Sequence, residues 1–331
     1  MLSLSKLKQS FSNSKVIPAL YTFVTTSFAN DLRHLQNLPT VPASPAKVTV
    51  VIPNYNYKNF LAARLKSVLN QTYPLYELII LDDASTDGSA EFIENDLLIK
   101  ARTKNPDLKI QFLKNTKNSG KSIVQWQKAF KEATGDFLWL AEADDLSDPN
   151  FLATVMQKFD DKKVVLSYAN SVVINERDKV LSYDFQNHSV DKQKSGHWQT
   201  DFIEDGESEI KNFFAINCNI PNVSSCVFRL DKSIPYEKYL DSAKDFTQCG
   251  DWHFYLQILK HGKVAYSRPA LNFFRVHQKS VTASSKKSDK LLKEVVRIQT
   301  RVAKEYPLSP AVRDAQAHEA SRIANRRSEG K

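Results

Sequence analysis

The chain has 331 residues, with 46 Lys and Arg against 37 Asp and Glu, a hydrophobic fraction of 42% and 11% aromatic residues. That content excludes a disordered chain and supports a full core, while 8 Gly, with neither G-x-G-x-x-G nor G-x-x-x-x-G-K-[ST], exclude the glycine-rich nucleotide loops. The net charge of +9 favours an anionic partner, either a phosphorylated substrate or a membrane surface, since no nucleic-acid recognition motif accompanies it.

Residues 1 to about 35 read as short helical pieces, and Pro39, Pro42 and Pro45 punctuate a linker before the first strong strand. The apolar stretch Val16 to Ala29 is broken by Pro18 and several hydroxyl residues, so neither a signal peptide nor a membrane span is expected there. From residue 46 the pattern becomes regular. Val48–Ile52, Leu78–Leu81, Lys109–Leu113 and Phe137–Leu140 read as strands, alternating with helices over Phe60–Leu69, Ser89–Lys100 and Ile123–Ala133. This is βαβ spacing, and it predicts an α/β fold with a mostly parallel sheet whose ligands bind beyond the carboxyl ends of the strands.

Past Tyr168 the expected elements are a helix over Glu207–Ala215, a strand over Ser224–Phe228, a helix over Asp251–Lys260 and a strand over Leu271–Arg275. The remainder, Lys286 to Ser328, reads as a basic helical tail. Its stripe of Val295, Ile298 and Val302 suits docking on the body, and its charge leaves peripheral contact with an anionic membrane open. Cys218, Cys226 and Cys249 form no C-x-x-C pair and are odd in number, which predicts a reduced, cytoplasmic setting.

Acidic residues end two of the strands. Like charges at the end of a buried strand are costly unless hydrogen bonds or cations compensate them, which marks Asp82-Asp83 and Glu142, Asp144 and Asp145 as more than helix caps. Hard carboxylate ligands suit Mg²⁺ or Mn²⁺, which can neutralise a departing diphosphate. Asp145 is the expected metal ligand and Asp144 the expected ribose contact, with Glu142 on the side of Asp144 if the strand pleat continues. Asp83 is placed to accept the N–H of a pyrimidine base, and Pro53 and Tyr55 follow β-strand Val48–Ile52 where a tyrosine ring can lie against a base. Asp251 opens a helix, where it reads equally as a cap or as a general base, and the neighbouring Trp252 reads as a sugar-stacking ring or as core. Arg275 and His277 alternate on one side of an extended segment and are candidates for diphosphate or metal contact.

These segments, in this order, resemble the glycosyltransferase family 2 enzymes of GT-A fold over residues 46–283. The motifs are Val51-Ile-Pro-Asn-Tyr-Asn56, Ser67 to Pro74, Asp82 to Ser89, Asn118-Ser-Gly-Lys121, Ala133 to Asp136, Glu142 to Asp145, Gly250-Asp-Trp252 and Arg275-Val-His277. The resemblance implies Pro53, Tyr55, Asp83, Lys121, Asp144 and Arg275 on the nucleotide sugar, Asp145 and His277 on Mn²⁺ or Mg²⁺, and Asp251 as catalytic base. It suggests Asn222, Ser224 and Trp252 on the acceptor side. Glu142 stands where many relatives carry Asp, and Gly250 where an acid often precedes the base. No Q-x-x-R-W motif is present, which favours transfer of single sugars over polymer synthesis.

The expected organisation is an N-terminal extension 1–45, a catalytic domain 46–283 with a donor half 46–168 and an acceptor half 169–283, and a basic C-terminal tail 284–331. The expected activity is inverting, metal-dependent transfer of one hexosyl or N-acetylhexosaminyl unit from a nucleoside-diphosphate sugar, with UDP the expected nucleotide. The acceptor would be a hydroxyl of a surface polysaccharide or lipid-linked glycan, in cell-envelope polysaccharide biosynthesis. The rival readings are a nucleotidyltransferase that makes a nucleotide sugar and a non-catalytic glycan- or nucleotide-binding protein.

Overall fold

A computed structural model describes residues 39–186, 196–278 and 289–328. The N-terminal helical pieces expected before residue 35 lie outside the described residues. The strands are β1 Val48–Asn54, β2 Glu77–Asp82, β3 Lys109–Lys114, β4 Phe137–Leu140, β5 Leu146–Ser147, β6 Val164–Asn175, β7 Val180–Ser182, β8 Phe202–Asp205, β9 Cys226–Arg229 and β10 Lys263–Val276. Helices α1 Lys58–Leu69, α2 Ser122–Glu132, α3 Tyr236–Ala243, α4 Gly250–Leu259, α5 Asp289–Glu305 and α6 Pro310–Ser328 flank them.

All ten strands of the described residues form one sheet along the path β3-β2-β1-β4-β9-β6-β10-β5, with β7 on β6 and β8 on β10. The expectation of a mostly parallel sheet holds from β1 to β4, where β1 runs parallel to both β2 and β4, and β2 parallel to β3. Beyond β4 the sheet is mixed, because β9 runs antiparallel to both β4 and β6 while β6 and β10 pair in parallel. In this mixed part, β6 and β10 are 12 and 14 residues long. Polar Ser167, Asn170 and Ser171 interrupt the apolar pattern of β6, and register shifts around Ser267 to Asn272 interrupt β10.

The pleat divides the core in two. Val48, Val50, Ile52, Leu78 and Ile80 meet Leu61, Leu65 and Val68 of α1 on one face. Val51, Ile79, Leu81, Leu138 and Leu140 meet Ile123, Trp126 and Ala129 of α2 on the other. Both faces are covered, which is why the parallel strands read as continuous apolar runs rather than alternating ones.

The C-terminal helices join the second face. Val295, Ile298 and Val302 are 3%, 1% and 3% exposed and belong to the same cluster as Phe254 and Leu256 of α4. The stripe therefore docks on the body. Ile298→Ala is expected to destabilise the protein by about 2–5 kcal/mol, seen as a lower unfolding midpoint in urea. No helix of the described residues is long and apolar enough to cross a membrane.

Candidate functional site

The carboxyl ends of β1, β2 and β3 lie in register, with Asn54 opposite Asp82 and Asp82 opposite Lys114. Asp82 is consumed there: it accepts from Asn54 Nδ2 at 2.8 Å and from the Ser85 backbone N–H at 3.0 Å, tying the two strand ends together. Asp83, expected to read a base, is 3% exposed, and both its oxygens are engaged by Asn115 Nδ2 at 2.7 Å, the Ser119 N–H at 3.0 Å and Ser119 Oγ at 2.6 Å. Its carboxylate orders the loop that carries Asn118 to Lys121. Pro53 is buried in β1, opposite Leu81 of β2, and Tyr55, just past it, is 43% exposed. The Lys121 ammonium donates to the Lys244 carbonyl, which links this loop to the one before α4.

The acidic segment leaves β4 at Leu140 and turns, with the Asp145 N–H donating to the Glu142 carbonyl at 3.2 Å. The pleat does not continue, so the three carboxylates diverge. Glu142 accepts from Trp126 Nε1 at 2.7 Å, and burial together with Asp144 pushes its pKa up to about 8. Asp144 turns to His277, with Oδ2 and Nε2 3.0 Å apart. Asp145 turns inward and is 2% exposed; the Arg275 backbone N–H donates to it at 2.8 Å and Asn222 Nδ2 at 2.5 Å. Burial and the Asp144 charge push its pKa up. Asp145, expected as the metal ligand, is engaged by the Arg275 N–H and Asn222, and the carboxylate facing His277 is Asp144.

Antiparallel pairing of β5 with β10, Ser147 opposite Asn272 and Leu146 opposite Phe273, brings Arg275 and His277 to this segment from 130 residues away in the chain. The Arg275 guanidinium, expected on diphosphate, is 2% exposed and occupied elsewhere. It pairs with Asp178 at 2.6 Å, donates to the carbonyls of Asp144 at 2.5 Å and Asn175 at 2.6 Å, and lies over the Phe60 ring at 4.8 Å. His277 packs against Tyr57 and Phe60, its ring centroid 5.4 and 5.5 Å from theirs.

The three acceptor candidates are also structural. Asn222 links Asp145 to Asn272, whose Nδ2 donates to Asn222 Oδ1 at 2.9 Å. Ser224 accepts from the Glu142 N–H at 3.0 Å through its hydroxyl and from Trp139 Nε1 at 2.9 Å through its carbonyl. Trp252 is 1% exposed and donates to the Phe214 carbonyl at 2.9 Å, so it is core.

Asp251 sits in the first turn of α4, with the Trp252 N–H donating to Oδ1 at 2.7 Å. Burial pushes its pKa up to about 6 against the pull of its backbone hydrogen bonds. A carboxylate so tuned suits proton abstraction near neutral pH.

Sequence reasoning missed Arg64. It lies on α1 in the same stripe as Leu61, Leu65 and Val68, is fully buried, donates to Ser147 Oγ at 2.9 Å and stacks over Trp139 at 5.1 Å. Burial lowers its pKa to about 10, opposed by Asp145, Asp144 and Glu142. It is the buried countercharge of the acidic segment, and its signal was a single charge inside an apolar helical stripe.

Among the described residues no set of three His, Cys, Asp or Glu side chains could hold a metal ion by itself. Asp144 Oδ2 and His277 Nε2 are hydrogen-bonded to each other at 3.0 Å; as an oxygen and a nitrogen donor they suit a divalent ion that would replace this bond and take its other ligands from substrate oxygens.

The model of the family described as glycosyl transferase family 2 matches residues 49–220. An uncharacterised glycosyltransferase of Nostoc sp. is 32% identical over 136 residues, covering 41% of this chain and 39% of that protein. Glycosyltransferase GlyG of Streptococcus pneumoniae is 26% identical over 131 residues, covering 40% of this chain and 41% of that protein. The matched stretch thus spans less than half the length of either relative. Among solved structures, S. aureus TarS 1–349 in complex with UDP-GlcNAc aligns with a TM-score of 0.53 at 17% identity, covering 85% of this chain and 72% of that one. The mannosyltransferase PcManGT of Pyrobaculum calidifontis, in complex with GDP-Man and Mn²⁺, aligns with a TM-score of 0.52 at 18% identity, covering 94% of this chain and 84% of that one. At these identities the likeness is one of fold.

Proposed function

Because this chain belongs to glycosyl transferase family 2, we propose that it transfers a single hexosyl or N-acetylhexosaminyl unit, with inversion, from a nucleoside-diphosphate sugar to a hydroxyl of a surface polysaccharide or lipid-linked glycan. The observation that carries this reading is the meeting of Asp144 and His277 at the carboxyl edge of the parallel strands, where open α/β sheets bind their ligands. The exposed Tyr55 offers a face to the nucleotide base, and UDP is the nucleotide we assign; the UDP-GlcNAc complex of TarS is a structural neighbour.

Asp144 and His277 would hold a divalent ion, Mn²⁺ or Mg²⁺, which when bound stabilises charge on the departing diphosphate. Asp145, Asn222, Ser224 and Arg64 hold the acidic segment in place from beneath. Asp251 takes the proton of the acceptor hydroxyl as the oxygen forms its bond to the sugar carbon, on the face opposite the diphosphate. The Trp252 N–H on Oδ1 fixes the carboxylate for that task. We assign residues 46–283 to catalysis and peripheral contact with the cytoplasmic membrane face to the basic residues of the C-terminal helices.

A thermal-shift screen of nucleotide sugars with and without Mn²⁺ tests the donor side. A UDP-sugar at 100 times its Kd is expected to add about 2.7 kcal/mol of stability, and only with the ion present. Product analysis tests the reaction. Release of UDP supports transfer, release of pyrophosphate would mark a nucleotidyltransferase, and binding without turnover would mark a binding protein.

A further inference from the structure

We propose that Glu294, on the docked helix α5, is a positioning residue for Asp251: its carboxylate gathers the backbone N–H groups of the turn from which α4 starts. Thr247 donates to Oε1 at 2.8 Å, and Gln248 and Cys249 donate to Oε2 at 2.9 and 3.0 Å. Three successive N–H groups converging on one carboxylate form an anion-binding concavity, and here the anion arrives from 45 to 47 residues along the chain. The turn needs it. Cys249, the residue before α4, makes no side-chain capping bond, so the donors that precede Asp251 are satisfied from outside the helix.

Two further contacts make the grip specific to this turn. Arg297, three residues after Glu294 on the same helix, lies over the Phe246 ring at 4.5 Å, and that ring stacks on His253 of α4 at 4.8 Å. Val295 and Ile298 anchor the same helix in the core. The helix pair also reaches the other side of the site. Gln299 donates to the Ile216 carbonyl at 2.9 Å, Gln316 to the Ala215 carbonyl at 2.8 Å, and Asn217 donates to Glu319 at 3.0 Å. That segment leads into Asn222 and Ser224, which brace the acidic carboxylates. The C-terminal helices therefore set both the turn before the base and the segment beneath the donor side.

The inference rests on the reading of Asp251 as base. Glu294 also acts on Asp251 through its charge, which raises the Asp251 pKa after burial has done so. The other titratable neighbours that sense Asp251 are Cys226, Cys249 and Tyr255, and burial pushes the pKa of each up, which keeps them neutral.

The test compares the full chain with Glu294→Gln and Glu294→Asp by hydrogen exchange over residues 245–252, together with the pH profile of UDP release from UDP-GlcNAc with Mn²⁺. In Glu294→Gln the amide group can no longer accept from all three donors. Exchange at residues 247–249 is expected to rise about tenfold or more, kcat to fall about 10- to 100-fold with the donor KM unchanged, and the acid limb of the profile to move to lower pH. Glu294→Asp, which keeps the charge on a shorter stem, is expected to recover part of kcat and the parent acid limb. Unchanged exchange at 247–249, or an acid limb that stays in place in Glu294→Gln, would overturn the proposal. Full turnover in Asp251→Asn would instead remove the base reading, while the exchange result still judges the grip of Glu294 on the turn.

Discussion

Asp251→Asn is expected to lower sugar transfer by about 10²–10⁴-fold, the contribution of a positioned general base, while leaving donor binding intact. The substitution keeps the size of the side chain and the oxygen that accepts the Trp252 N–H, so α4 retains its first turn. It removes a charge that the fold holds at a cost. The pKa of Asp251 is pushed up to about 6 from 3.8 by burial, so the folded chain binds this proton more tightly than the unfolded chain does. Ionised Asp251 therefore subtracts stability above about pH 6, and the penalty fades as pH falls toward the unfolded value. The neutral Asn escapes it. Melting curves at pH 7.5 are expected to place Asp251→Asn at or above the parent, and at pH 4 level with it. An inactive but less stable variant at pH 7.5 would mean that Asp251 serves the fold, as an ordinary helix cap would.

The parallel strands β1, β2 and β4 were legible in the sequence because their signals are local. Val48–Ile52, Leu78–Leu81 and Phe137–Leu140 are short apolar runs bounded by polar residues, and each is a fully buried strand of the parallel sheet. The mixed part of the sheet beyond β4 depends on long-range pairing. No local pattern announces that Ser147 will lie opposite Asn272, or that Asn222 will donate to Asp145 from 77 residues away. The same limit governs the site. Acidic pairs at strand ends pointed to two segments at the carboxyl edge of the sheet, but the strand pleat does not continue where the chain leaves β4 at Leu140 and turns. Arg275 and Asn222 are polar residues in suggestive positions whose hydrogen bonds are spent inside the protein. Arg64 and Glu294 went unread because their partners lie on other elements.

The turn after β4 makes the roles of the two adjacent aspartates separable by experiment. Asp144 faces His277 with a side chain 14% exposed, whereas Asp145 is buried and accepts from a backbone N–H and from Asn222. Losing a partner that only orients a metal ligand typically weakens metal binding about 10- to 100-fold. Loss of the Asp144 carboxylate is therefore expected to weaken it at least about 100-fold. Titration calorimetry of Mn²⁺ with UDP should show this for Asp144→Asn, with the melting temperature close to that of the parent. Asp145→Asn should behave in the opposite way. Turned so that its oxygen accepts from the Arg275 N–H, its amide would present donors to the Asn222 amide, and Arg64 would lose part of its countercharge. Leaving buried polar groups without partners costs about 1–3 kcal/mol, so the melting temperature should fall while Mn²⁺ affinity in the surviving folded protein drops by less than in Asp144→Asn. If Asp145→Asn instead abolished Mn²⁺ binding while Asp144→Asn preserved it, the ion would belong to Asp145, and the contact between Asp144 and His277 would be one of orientation alone.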